Sequence, residues 1–147
     1  HGIGRRQRQM CIRDSRHTDL SGVDLSGVNF SDADLRGADL SHANLTGANF
    51  FVADMEMIRL DGANLSYADL SRADLTHARL DGTDLSWSNL SGTRFNSTDL
   101  STATLTGVIH THKPGPGIAL TRWPYSFDPE AHGLAAPTLQ EQLIPGG

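Results

Sequence analysis

The chain of 147 residues carries 17 acidic and 12 basic side chains, a formal charge of −5, and 37% of it is hydrophobic. That balance excludes a basic nucleic-acid-binding protein, and the one cysteine excludes an internal disulfide framework. No run approaches the roughly twenty apolar residues that a membrane-spanning helix needs.

At the start, residues 5–15 read Arg5-Arg6-Gln7-Arg8-Gln9-Met10-Cys11-Ile12-Arg13-Asp14-Ser15. The string resembles, residue by residue, the translation of a transposon-based sequencing adaptor. Residues 1–15 are therefore expected to be a non-native, adaptor-derived segment, set aside in fold reasoning. On that expectation the native N-terminus, and any domain ahead of it, is missing. The rival reading is a basic arm for nucleic acid or membrane. Setting the segment aside removes Arg5, Arg6, Arg8, Arg13 and Asp14, which leaves a more acidic chain, and removes Cys11, which leaves no thiolate for a metal.

From Leu20 onward a large apolar residue returns every five positions through Phe30, Leu40, Phe50, Leu60, Leu70, Leu80, Leu90 and Leu100 to Leu105, eighteen pentads without a slip. On an α-helix, steps of five would spiral round every face. On a flat strand an odd step would send successive leucines to opposite faces. One geometry satisfies all eighteen. Residues two apart share the inner face of a short extended segment, the chain then turns a corner, and four such sides close a coil of twenty residues. The position two before the centre is accordingly small, Ala in ten pentads, as in Ala38 and Ala48. The position before the centre is Asp or Asn in fourteen, residues that bond nearby backbone and suit turns. Gly recurs two past the centre, at Gly22, Gly37 and Gly82 among others, where a corner needs backbone freedom. Four and a half coils at the strand spacing make a rod about 22 Å long. No side folds alone, because its inner face needs the other three and the coils above and below.

This A-(D/N)-L-x-x pattern, over residues 18–107, resembles the pentapeptide-repeat family. The resemblance implies an all-β fold, a right-handed quadrilateral β-helix, placed here at residues 16–109 and followed by a mostly irregular tail over 110–147.

Positions twenty apart stack, so outward columns can be read directly. Asp34, Asp54 and Asp74 form an acidic column that ends at Arg94. Its plain reading is a solvated face; its sharper one is a mimic of the DNA phosphate backbone, since the resemblance includes DNA mimics that bind DNA gyrase and related topoisomerases. Arg59 and Arg79, beside Asp61 and Asp81, read as a surface charge ladder of little energetic weight. Tyr67 and Trp87 occupy equivalent corners in the column Gly27, Gly47, Tyr67, Trp87, Gly107, where they stack on each other, shelve the tail or anchor a partner. Phe51, Val52 and Met57 fall at outward positions in the least regular pentads. They form either an apolar patch of the kind that marks a binding site or an irregularity covered by neighbours.

No chemistry stands out. The histidines are scattered, and His110-x-His112 gives two metal ligands at most, with no third at usual spacing. No metal, cofactor or catalytic residue is expected: the serines belong to the repeat, and no phosphate-binding glycine motif occurs. After Ile109 the run His112-Lys113-Pro114-Gly115-Pro116-Gly117 breaks any strand or helix. Residues 121–133, Thr-x-Trp-Pro-x-x-Phe-Asp-Pro-Glu-Ala-x-Gly, resemble an ending seen after pentapeptide repeats, with Ser126 in place of its usual Gly. A solenoid end needs covering to stay soluble, so Trp123, Tyr125 and Phe127 are the candidate cap over Phe95, Leu100 and Leu105; the alternative is an extended tail that binds a partner. Residues 137–144 could add two helical turns. The expectation is a non-enzymatic structural or protein-interaction scaffold of bacterial type and cytoplasmic location, with an unidentified protein partner, no direct nucleic-acid contact and no membrane span. The alternative is a DNA-mimicking regulator of DNA gyrase.

Overall fold

The computed structural model describes residues 14–111 and 120–134. Within them the backbone is a square tube. From Asp14 to Asn89 every fifth residue, the one before each central side chain, forms a parallel bridge to the residue twenty further on. Face 1 carries Asp14, Asp34, Asp54, Asp74 and Arg94 at these positions, and face 2 carries Asp19, Asp39, Arg59, Arg79 and Asp99. Face 3 carries Asp24, Asn44, Asn64, Asp84 and Thr104, and face 4 carries Asn29, Asn49, Asp69, Asn89 and Ile109.

Three bonds per pentad tie each coil to its neighbours. At face 2 the Leu40 N–H donates up to Arg59 O (2.8 Å), the Asp39 N–H donates down to Thr18 O (2.9 Å), and the corner His42 N–H donates up to Asp61 O (2.9 Å). A fourth bond, Ala43 N–H to Leu40 O (3.1 Å), closes the corner itself. The Asp or Asn side chain secures the turn from outside: Asp39 Oδ1 accepts the Ser41 N–H at 3.0 Å and its hydroxyl at 2.6 Å. Backbone polar groups are thus consumed rung by rung, which lets a tube this thin exclude water from its centre.

The interior is apolar and close-packed. Leu35, Leu40, Leu45, Leu60, Leu65 and Leu70 are fully buried, with Ala38, Ala48 and Ala68 beside them. Ile58 takes the small position next to the flexible Met55, and both are buried. Phe30 and Phe50 stack one coil apart, centroids 5.0 Å and planes 4° from parallel. In the later coils the small position turns polar without loss. The buried hydroxyls of Thr83, Thr93 and Thr98 donate to Leu60 O, Leu70 O and Leu75 O in the coil below, at 2.7 to 2.8 Å.

The corners hold a feature that composition does not disclose. At every described corner but Thr102 the residue two past the centre has φ between 55° and 70°, whether it is glycine or not. His17, Asp32, His42, Val52, Met57, Tyr67, Arg72, His77, Trp87 and Ser97 all sit in this left-handed region. For an L-residue it costs roughly 1–2 kcal/mol, and a β-branched residue suits it least. Val52→Gly, at φ 60°, is therefore expected to stabilise the chain by about 1 kcal/mol after the added freedom of glycine in the unfolded state is set against the relief. A chemical melt checks this, and a loss of stability would show that Val52 packing outweighs backbone strain.

The ladder runs past both expected limits, 16 and 109. Asp14 bridges Asp34, and the buried Ser15 donates its N–H to Asp34 O (2.9 Å). Residues 1–13, the bulk of the segment read as adaptor-derived, lie outside the described residues, as does the 137–144 segment. At the other end Arg122 bridges Arg94, and the Phe95 N–H donates to Arg122 O (2.7 Å). Thr121 then serves as the small position, its hydroxyl on Leu90 O at 2.6 Å. Threonines in regular coils reach back 23 residues for this bond and Thr121 reaches back 31; the sequence between Thr111 and Leu120 accounts for the difference. Thr111 and Thr121 are tied to each other, the Thr121 N–H on Thr111 O (3.0 Å) and the Thr111 N–H on the Thr121 hydroxyl (2.9 Å). So Thr121-Arg122-Trp123 is one further pentad, displaced in sequence but in register.

Candidate functional site

Charge is segregated among the faces. On face 1 Arg36 donates from Nε and Nη2 to the two carboxylate oxygens of Asp34 (2.9 and 2.8 Å) and reaches Asp54 at 3.5 Å. Arg16 joins Asp14 to Asp34, and Arg94 pairs with Asp74 at 3.8 Å. On face 2 Arg59 pairs with Asp39 and Arg79 with Asp61. The column Asp34, Asp54, Asp74 is therefore interleaved with guanidiniums, and its carboxylates also accept turn N–H groups from Arg36, Glu56 and Thr76. A run of free phosphate-like charges is not what it presents. At mid-height Asp54, Glu56 and Asp74 bring carboxylate oxygens within 4.8 Å of one another.

These bonds hold carboxylates in the charged form. Hydrogen bonds from Arg36 lower the pKa of Asp34 to about 2. The hydroxyls of Ser21, Ser41 and Ser101 hold Asp19, Asp39 and Asp99 below their ordinary value, and the Ser26 N–H does so for Asp24. A carboxylate whose folded pKa is depressed adds stability that is fully present above its unfolded value and is lost as pH falls through the folded one. Stability is thus expected to be flat above about pH 5 and to fall between about pH 4 and pH 2. Urea midpoints across that range check it; a midpoint constant down to pH 2.5 would show that the turn bonds are as strong to the protonated acids.

Faces 3 and 4 differ. Their outward positions are mostly Asn, Ser and Thr with few charges, among them Asp24, Asp69 and Asp84 and, at the far edge of face 4, Arg72, while Arg16, Arg36, Arg59, Arg79 and Arg94 pair with carboxylates on faces 1 and 2. The corner between them carries Tyr67, 66% exposed, and Trp87, 55% exposed. The far edge of face 4 carries the exposed Phe51 and Val52, and Ile109 stands exposed at its top rung. Met57 does not join them. It is exposed on the corner after face 1, with Asp54 and Glu56 between it and Val52, so the three apolar residues do not form one patch. Tyr67 and Trp87 do not pair as rings among the described residues. Trp87 lies instead over the next coil: a Cβ built on Gly107 would stand 2.4 to 2.6 Å from its indole atoms. His17 covers Gly37 and His42 covers Gly62 in the same way.

The tail brings together two of its three expected aromatics. Trp123 stacks on Phe95 (5.6 Å, 6°), Phe127 stacks on Trp123 (5.0 Å) and His132 stacks on Phe127 (4.4 Å). His110, at the central position five past Leu105, meets Trp123 edge-on at 5.5 Å. Tyr125 takes no part; it falls in the turn after Pro124 and is fully exposed. A 3₁₀ turn at Glu130–His132 then directs the buried Leu134 onto the core. Between the tail and the last corner lies a groove of about 650 Å³ lined by residues that include Asp99, Tyr125, Phe127 and His132. His132 Nδ1 there is 2.8 Å from Asp128 O, which ties the ring to its own turn.

The pentapeptide-repeat family model matches in eight copies over residues 16–50, 29–66, 52–80 and 68–107. The chain belongs to the pentapeptide-repeat family. A pentapeptide repeat protein from the Arabidopsis thaliana thylakoid lumen is 34% identical, with a TM-score of 0.64 over 69% of this chain and 70% of that one. One from Nostoc is 25% identical over 82% of each chain, with a TM-score of 0.40. QnrB1, a plasmid-mediated fluoroquinolone resistance protein, is 21% identical over 65% of this chain and 64% of that one, with a TM-score of 0.31. No curated protein matches the sequence. Family membership carries with it the right-handed, quadrilateral form of the β-helix. Among the described residues of this pentapeptide-repeat protein, no helix is long and apolar enough to cross a membrane.

Proposed function

We propose that this pentapeptide-repeat protein is a non-enzymatic interaction scaffold whose contact surface is the ridge between faces 3 and 4, with Tyr67 and Trp87 as anchors and Phe51 and Val52 at the edge. The carrying observation is the segregation of charge: arginines and carboxylates pair with one another on faces 1 and 2 and leave the exposed aromatics on the side with few charges. Exposed rings in a surrounding of low charge are the composition of interface centres. A rigid tube fixes their spacing, which suits recognition better than proton chemistry. Met57 is a lesser contact on a separate corner, and Trp123 and Phe127 close the tube end.

The test uses glycine, the residue that this column carries at 27, 47 and 107. The double variant Tyr67→Gly, Trp87→Gly is expected to keep the fold and to lose proteins captured from a lysate, while Asp54→Asn with Asp74→Asn keeps them. Capture unchanged by the ridge substitutions would remove these residues as anchors. Inhibition of gyrase supercoiling, abolished when Asp34, Asp54 and Asp74 become Asn, would replace this reading with the DNA-mimic one.

A further inference from the structure

The chemistry along the ridge narrows the class of ligand. The indole of Trp87 lies over the Gly107 corner, and more than half of the residue remains exposed. Tyr67 stands one coil away on the same corner. On both sides run asparagines whose amide oxygens are already engaged. Asn44 accepts from Thr46 and Asn64 from Ser66 on face 3, and Asn49 accepts from Phe51 and Asn89 from Ser91 on face 4. The group each has left for a ligand is its amide NH2, a donor. The ridge is thus a pair of exposed aromatic rings flanked by rows in which these amide donors alternate with the carboxylates of Asp24, Asp69 and Asp84, repeated at one coil per step.

We propose that this ridge binds an uncharged polysaccharide laid along the tube axis. The proposal rests on the reading above, that the ridge is the contact surface. A pyranose ring has apolar C–H faces that stack on aromatic rings and hydroxyl edges that accept from amides, which is the pairing the ridge provides. Charge argues the same way. The bridging rows on both sides carry carboxylates and no cation, and Arg72 stands apart at the far edge of face 4, so an acidic glycan, a nucleic acid or an acidic peptide is repelled more than rewarded, while a basic peptide finds more carboxylate on faces 1 and 2. Area argues it again. Five rungs at the strand spacing and about three extended residues across give each of the two faces that meet at the ridge about 24 by 10 Å, or about 480 Å² together. That is well short of the roughly 800 Å² per partner of a standard protein interface, but it suits a narrow chain that follows the ridge.

Affinity electrophoresis of the full chain in native gels containing hydroxyethyl cellulose, xylan or dextran, with alginate as the anionic comparison, tests this. Expected is at least a twofold loss of mobility in one neutral gel, none in alginate, and recovery of free mobility in the Tyr67→Gly, Trp87→Gly variant with its circular dichroism unchanged. In a Trp123→Phe background Trp87 is the only indole, and the matching oligosaccharide is expected to shift its fluorescence. Unaltered mobility in all three neutral gels, or retardation that survives the double substitution, overturns the proposal. If glycans fail but peptides selected from a display library bind and are lost with the same two substitutions, the polysaccharide proposal falls and the ridge stands. If those substitutions change nothing, both fall.

Discussion

Trp123→Ala is expected to destabilise the chain by about 3 kcal/mol and to make it associate with itself as concentration rises. Two contacts disappear together, because the indole is the middle ring between Phe95 and Phe127. Phe95 is fully buried and Leu100 and Leu105 nearly so, and the tail lies over this end of the core. Without the indole the top of the tube opens to water, and an uncovered solenoid end is an apolar surface that a second copy can cover. Trp123→Phe keeps a ring in the stack and is expected to lose under half as much. Thermal melts with size-exclusion chromatography across a hundredfold concentration range check both. An Ala variant that stays monomeric and melts with the parent would show that the tail contributes nothing to closing the tube.

Leu65→Ala is expected to cost about 4 kcal/mol, towards the upper part of the range for buried leucine. Leu65 is fully buried near mid-height, with Leu45 one coil below and Leu85 one coil above. The usual relief, collapse of the surroundings into the cavity, is blocked here. The Leu65 N–H is held to Asp84 O at 2.7 Å and the Asn64 N–H to Ala43 O at 3.0 Å, and both neighbouring coils are pinned in the same way. The weak point also falls mid-rod, where nearest-neighbour coupling between coils has the most structure to hold together. Hydrogen exchange is expected to quicken on both sides of the substituted coil. A urea midpoint implying less than about 1 kcal/mol would mean that the coils relax more freely than their ladder bonds suggest.

Much of the tube was legible because its period is written in side-chain size. A central leucine every five residues, with alanine two before it, admits one interior, and the buried positions from Phe30 to Leu105 lie on it. The corners were half legible. Glycine at 22, 37 and 82 signalled backbone freedom, but nothing in Val52, Met57 or Trp87 announces that they hold the same left-handed conformation. The ladder forces it, overriding local preference. The return of the tail was hidden because sequence between Thr111 and Leu120 breaks the count. The signal that could have found it is internal: Thr121-Arg122-Trp123 repeats Thr93-Arg94-Phe95, small, arginine, aromatic, and the two pair directly. His110, five past Leu105, likewise stands at a central position of the repeat, where it meets Trp123. The grouping of Tyr67 with Phe51 and its separation from Met57 needed the wrapping of the coil, since distance along the chain does not rank distance around the tube.

The clasp between Thr111 and Thr121 has a consequence for how such a chain can grow. The ladder resumes in register at Thr121 although the count of five is broken after Thr111, so coherence depends on a three-residue landing site rather than on an unbroken count. Other corners should tolerate foreign cargo on the same terms, provided each graft ends in a threonine, a bridging residue and a bulky plug. Length then becomes free to vary where the architecture is most regular, and a monotonous rod acquires addressable ports.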